Sequence, residues 1–238
     1  MADNMYRDSQ TSAIPASREL TNAFLRGVYL WMGVGLAITA VVSWYVAGSY
    51  TIMNAILSNT FLLVVLIVAQ LGLVVALSAA VQKMSAGMAT GLFMFYSALS
   101  GVTLAPIFRI YTSTSIAATF AACAGMFAAM SIYGLVTKRD LTSWGSFLFM
   151  GLIGIIIASV VNFFLKSEAM HYVIGYIGVI VFLGLTAYDT QKLRNMGESA
   201  PHDDAVAIRR GTILGALTLY LDFINLFLML LRIFGDRR

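Results

Sequence analysis

The stretch Phe61-Leu-Leu-Val-Val-Leu-Ile-Val-Ala-Gln-Leu-Gly-Leu-Val-Val-Ala-Leu-Ser-Ala-Ala-Val81 holds 21 residues without a charge. A helix rising 1.5 Å per residue needs about 20 such residues to cross the roughly 30 Å hydrocarbon core of a bilayer. This segment is therefore a membrane span, and six more stretches read the same way. They are Gly27 to Ala47, Gly87 to Phe108, Ser115 to Val136, Trp144 to Leu165, His171 to about Gln191, and Gly211 to Phe234. The gaps between them are mostly short, as in a compact bundle of antiparallel neighbours. The expected fold is an all-α integral membrane protein, a seven-helix bundle occupying residues 23–238 behind a polar N-terminal tail, residues 1–22. That tail lacks the features of a cleaved signal peptide, so the first span reads as a retained anchor.

Composition agrees. Of 238 residues, 60% are hydrophobic and only 11% charged, where a soluble domain carries about 25% charged residues. The mean hydropathy is +0.85 and the pI about 9.3. No basic stripe suggests nucleic acid as a partner; the basic residues lie between apolar runs, where they set orientation. With the N-terminus in the cytoplasm, Arg7, Arg18, Arg26, Lys83, Lys138, Arg139, Lys192, Arg194, Arg209 and Arg210 fall inside. Arg109, Lys166, Arg232, Arg237 and Arg238 fall outside. Ten against five supports a cytoplasmic N-terminus. The last three would move inside if the seventh segment dipped in and returned, so spanning and re-entry both stay open. The single cysteine, Cys123, excludes an intrachain disulfide.

Small residues recur four apart at Gly87 and Gly91, Ser97 and Gly101, Gly125 and Ala129, and Gly211 and Gly215, the spacing at which membrane helices pack closely. Pro106 is expected to break or end the third helix. Within the first five spans the notable polar groups are Gln70 and Asn162.

Two acids stand apart: Asp189 near the end of the sixth span and Asp222 within the seventh. A carboxylate at the centre of a membrane helix costs about 2.5 to 3.5 kcal/mol on insertion scales, so an intramembrane acid points to function. Asp222 lies eleven residues past Gly211, roughly 16 Å along the helix. The two segments are consecutive, so the acids can meet in the cytoplasmic half of the bundle. No Lys or Arg is expected at that depth, which leaves a shared proton as the neutraliser, because two carboxylates in low dielectric cannot both ionise cheaply. Protonated, the pair bridges two helices; deprotonated, it repels and offers hard oxygen ligands for transient Ca²⁺ binding. The competing reading is that each Asp separately serves a local helix break. Tyr188 and Tyr220 flank the acids as supporting polar groups, or pack at the interface. Asn225 shares the face of Asp222, either extending the site or joining helices. His202, Asp203 and Asp204 sit in the longest loop, Lys192 to Arg210, and read as solvated rather than metal-binding.

Gly184-Leu-Thr-Ala-Tyr-Asp-Thr-Gln191, with Leu219-Tyr-Leu-Asp-Phe-Ile-Asn-Leu-Phe227, resembles the signature of the Bax inhibitor-1 family, also called transmembrane Bax inhibitor motif proteins. Gly101-Val-Thr-Leu-Ala-Pro-Ile107 and Phe24-Leu-Arg-Gly-Val-Tyr29 are also similar to family segments. The likeness runs from about Thr21 to the end, and the tight loops suggest a bacterial member. It implies two three-helix groups around a central C-terminal helix, and a pH-sensitive calcium leak gated by an aspartate pair matching Asp189 and Asp222. It also implies an arginine on the second helix competing for one aspartate; Phe61 to Val81 contains none.

The leading expectation is thus a proton-gated cation leak in a bacterial inner membrane, with no cofactor and no catalytic residue. The partners expected are the lipid bilayer, Ca²⁺, protons and other membrane proteins. An alternative is a membrane-embedded regulator that binds other membrane proteins, such as a protease or translocation complex. A proton-coupled transporter would need a substrate-binding helix break, which the sequence does not display. Tyr188-Asp189 also resembles half of an intramembrane aspartyl protease site, but the Gly-x-Gly-Asp half is missing around Asp222.

Overall fold

A computed structural model describes residues 2–199 and 204–238, with side chains from Arg18 onwards. The helices are α1 (Ala2–Gly48), α2 (Tyr50–Ser58), α3 (Thr60–Ala80), α4 (Ala86–Leu104), α5 (Ile107–Ile110), α6 (Ser113–Val136), α7 (Thr142–Leu165), α8 (Glu168–Ser199) and α9 (Ala205–Phe234). Seven stretches are long and apolar enough to cross a membrane, and they contain all seven expected segments. The polar N-terminal segment is continuous helix with the first span.

Local chemistry sets the boundaries. Free N–H groups at helix starts are met by side-chain oxygens: Ser49 accepts from Ile52, Asn59 from Leu62, Ser85 from Met88 and Thr112 from Ser115. Pro106 follows the end of α4, and the chain resumes as the short α5, as its missing N–H and ring demand. α7 ends at Lys166 in the left-handed region, φ 51°.

Burial identifies the centre. In α9, 67% of the apolar stretch is buried inside the bundle, against 6% in α3 and 11% in α7. α9 packs against α1, α4, α6 and α8, while α3 lies on α4 and α7 lies on α8. This gives two three-helix groups, α1/α3/α4 and α6/α7/α8, around the last helix. Lipid-facing α3 is tied to α4 by Gln70, whose Nε2 donates to Ser100 (3.2 Å) and Thr103 (3.0 Å).

The small-residue pairs divide. A Cβ at Gly101 would lie 2.7 Å from Val42 and 2.8 Å from the Thr39 carbonyl, so the Ser97/Gly101 face admits α1. A Cβ at Gly215 would lie 2.6 Å from Leu193. Gly87, Gly91 and Gly125 have nothing within 4 Å of such a Cβ. Their spacing does not mark a packing face within this chain, correcting the expectation for those two pairs.

The last helix crosses rather than returns. The start of the first span lies beside the end of α8 and the start of α9, with Gly197 against Phe24 and Thr21, and Gly27 against Thr212. The C-terminus lies at the other end. Thr112 N donates to Asp236 O (3.1 Å), Arg238 N to Ile110 O (2.9 Å), and Asp236 N to Ser115 Oγ (3.0 Å). Re-entry of Gly211 to Phe234 is thereby excluded.

A second correction concerns the loop Lys192 to Arg210. α8 continues to Ser199 and α9 begins at Ala205, so most of the expected loop is helix. His202 and Asp203 lie outside the described residues. Asp204 caps α9, accepting from Val206 N (3.0 Å) and Ala207 N (2.9 Å).

Candidate functional site

A cavity of about 480 Å³ opens between α7, α8 and α9. Tyr188, Asp189 and Lys192 come to it from α8, Asp222 and Asn225 from α9, and Gly145 and Phe149 from α7. The spacing explains the convergence. Asp189 and Lys192 are three apart, as are Asp222 and Asn225, and residues three apart share a helix face.

The two acids meet. Their carboxyl groups lie close enough to act on one another, both line the same cavity, Asp222 is only 5% exposed, and its Oδ2 has no hydrogen-bond partner among the described residues. A carboxylate only accepts hydrogen bonds. Two facing carboxyl groups can therefore bond each other only when one carries a proton. No carboxylate–cation pair intervenes: the ion pair found among the described residues is Arg194–Glu198 at 3.7 Å, outside the cavity lining.

The expectation that no basic residue reaches this level is corrected. Lys192 lines the same cavity as the acids, with its Nζ 6.0 Å above the Tyr188 ring. It stands at the rim as a nearby positive charge and makes no ion pair with Asp189. Its position three residues after Asp189 was the available signal.

The flanking tyrosines separate. Tyr188 lines the cavity, its ring so close to Gly145 that a Cβ there would lie 2.5 Å away. Tyr220 does not reach the acids. It is fully buried, and its hydroxyl lies 2.7 Å from Thr39 Oγ1. Thr39 also lies 2.8 Å from the Ser97 carbonyl. The Gly35 carbonyl lies 3.0 Å from Thr39 Oγ1; with its proton given to either carbonyl, Thr39 accepts from Tyr220. The Tyr220 ring packs edge-on against Phe93 (5.9 Å) and Tyr96 (5.8 Å). Residues two apart point to opposite helix faces, which removes Tyr220 from the expected site. Asn225 belongs to the cavity and donates from Nδ2 to the Leu221 carbonyl (2.8 Å).

Sequence reading missed Gln191. Its Oε1 accepts from Leu141 N (2.9 Å), and its Nε2 donates to the Arg139 carbonyl (2.8 Å). This one amide clamps the α6–α7 turn onto α8 and so fixes the start of α7, a wall of the cavity. Arg194 adds a bond from Nη1 to the Leu135 carbonyl (2.6 Å) at the end of α6. Asp140, in the same turn, has its carboxyl held below the usual carboxylate range by the Thr142 side chain and backbone N–H.

The oxygen ligands here suit a hard cation. Among the described residues no group of three or more His, Cys, Asp and Glu side chains comes together, so two carboxylates are the anionic ligands available.

Comparison with known proteins identifies the family. Residues 21–238 match the model of a family described as "Inhibitor of apoptosis-promoting Bax1". The chain belongs to the Bax inhibitor-1 family. Among bacterial proteins, "Inner membrane protein YbhL" of Escherichia coli (strain K12) is 58% identical over 98% of this chain and 100% of its own length. An uncharacterized protein of Borreliella burgdorferi is 48% identical over 92% and 94%, and one of Deinococcus radiodurans is 40% identical over 98% and 100%. Membership in the Bax inhibitor-1 family thus covers both acid-bearing helices.

Proposed function

We propose that this protein is a pH-sensitive cation leak of a bacterial inner membrane, gated by Asp189 and Asp222, with Ca²⁺ as a permeant ion. The observation that carries the reading is the facing carboxyl pair in the α7–α9 cavity, unbridged by any cation side chain. The description of YbhL as an inner membrane protein supports the location. The ten basic residues at the N-terminal end support a cytoplasmic N-terminus, with the polar segment 1–22 outside the hydrocarbon.

With one proton between them, the acids tie α8 to α9 and close the deep end of the cavity. Loss of that proton sets two negative charges side by side. At a separation of about 4 Å and an effective dielectric of about 20, their repulsion is about 4 kcal/mol, enough to shift a two-state helix contact. The separated carboxylates then offer oxygen ligands to an entering cation, while Lys192 at the rim tempers their charge. Opening is therefore favoured as pH rises.

The test is influx of Ca²⁺ into dye-loaded liposomes from pH 6 to 8, comparing wild type with Asp189→Asn and Asp222→Asn. Wild-type flux should climb with pH, and each asparagine variant should lose that dependence while staying folded. Wild-type flux no greater than that of empty vesicles at every pH would sink the proposal and turn attention to a protein partner.

A further inference from the structure

A second cavity, about 500 Å³, lies at the opposite end of the bundle between α7, α8 and the C-terminal residues. Lys166, Arg232 and Arg237 line it, together with His171 and one acid, Glu168. These three cations belong to the five basic residues on the side where charge bias disfavours them. They are also unspent: among the described residues none is in an ion pair. One ordered contact joins them, Arg237 Nη2 to His171 Nε2 at 3.1 Å.

The backbone holds this cluster in place. Lys166 occupies the left-handed turn that ends α7, and Ser167 N donates to Asn162 Oδ1 (3.0 Å), tightening the same turn. Arg237 is fixed by the hydrogen bonds of Asp236 and Arg238 to Ser115 and Ile110. The cavity's lipid side carries Phe163 and Tyr172, both exposed, the aromatic type that marks the boundary of hydrocarbon and headgroups. Guanidinium groups match phosphate oxygens in a forked geometry, and a lysine adds a point charge.

We propose that this cavity binds a phosphate group, carried by an anionic phospholipid headgroup or free in solution. Arg232 and Arg237 hold the oxygens, Lys166 supplies charge at the rim, and Phe163 and Tyr172 flank the path towards the acyl chains. The site is separate from the acid pair and does not depend on the leak reading.

The test uses full-length protein in detergent, titrated with phosphatidylglycerol or phosphatidylcholine and read by native mass spectrometry. Inorganic phosphate runs in a parallel arm, read by thermal unfolding. The variants are Lys166→Asn with Arg237→Gln, and Lys166→Asn alone, because asparagine tolerates the left-handed backbone and Lys166 is exposed. Phosphatidylglycerol should be retained over phosphatidylcholine. Each cation removed should weaken it by about fivefold, and the pair by about 25-fold. If inorganic phosphate stabilises wild type, displaces the lipid and fails to stabilise the double variant, the ligand is free phosphate. If it does none of these while the lipid preference holds, the ligand is the headgroup. Equal retention of both lipids by wild type and both variants, with no effect of phosphate, overturns the site.

Discussion

Replacing Gln191 with leucine is the sharpest probe of how the cavity wall is built. Leucine nearly matches glutamine in volume but supplies neither of its bonds. The Leu141 amide, in a residue only 9% exposed, then loses its acceptor at 2.9 Å, and an unsatisfied buried donor costs about 1 to 3 kcal/mol. The Arg139 carbonyl loses its donor at 2.8 Å. It belongs to an exposed residue and regains water, so its share is about 0.5 to 1.5 kcal/mol. A total of about 1.5 to 4.5 kcal/mol follows, or a fall in unfolding temperature of about 3 to 18 °C for a chain of this size. Cys123 provides the assay, since the single thiol is fully buried and reacts with a fluorogenic maleimide only as the bundle opens. The reasoning fails if Gln191→Leu unfolds within about 1 °C of wild type, because the turn would then owe its position to packing alone.

Two further outcomes are expected. Gly134→Ala should lower stability markedly in the Cys123 assay, because its Cβ would lie 2.4 Å from the rigid Ala187 carbonyl; Gly87→Ala should be neutral or gain up to about 1 kcal/mol, since nothing faces it. Alkaline phosphatase fused after Arg238 should be active and green fluorescent protein there dark in a bacterial inner membrane, with the reverse at the N-terminus; like behaviour at both ends would contradict a crossing α9.

What the sequence disclosed followed from where hydropathy is decisive. Charge-free runs such as Phe61 to Val81 have no alternative to a span, and two acids among so few ionisable intramembrane residues draw attention by cost alone. Hydropathy is silent on a helix that leaves the membrane, which is why the polar end of α8, Lys192 to Ser199, groups with the loop although the sequence permits the helix to continue past Leu193. That misreading also hid Lys192, since a residue taken for loop has no helix face to share with Asp189. Tyr220 was separable from Asp222 by helical phase alone. The roles of Gln191 and Gly134 required the partner: each meets backbone atoms 50 or more residues away, and no local pattern announces which ones.

The phase of α9 has a consequence for how a gate can move. One face presents Tyr220, buried among Phe93 and Tyr96 and bonded to Thr39; the other presents Asp222 and Asn225 to the cavity beside α7 and α8. The tyrosine face meets α1 and α4 through close, neutral contacts that do not titrate, aided by the α1–α4 approach at Gly35 and Gly101. The acid face meets α8 at the two carboxyl groups, whose contact depends on a proton in the proposed leak. In the proposed leak, a change in protonation acts on the α8–α9 seam and leaves α9 anchored to the first three-helix group. Gln191 and Arg194 fasten α8 to the α6–α7 turn and the end of α6, and Phe120 and Phe127 of α6 pack on Phe223 of α9, so in the proposed leak α8 cannot slide out alone: movement at the acid seam must carry α6 and its aromatic contacts with it.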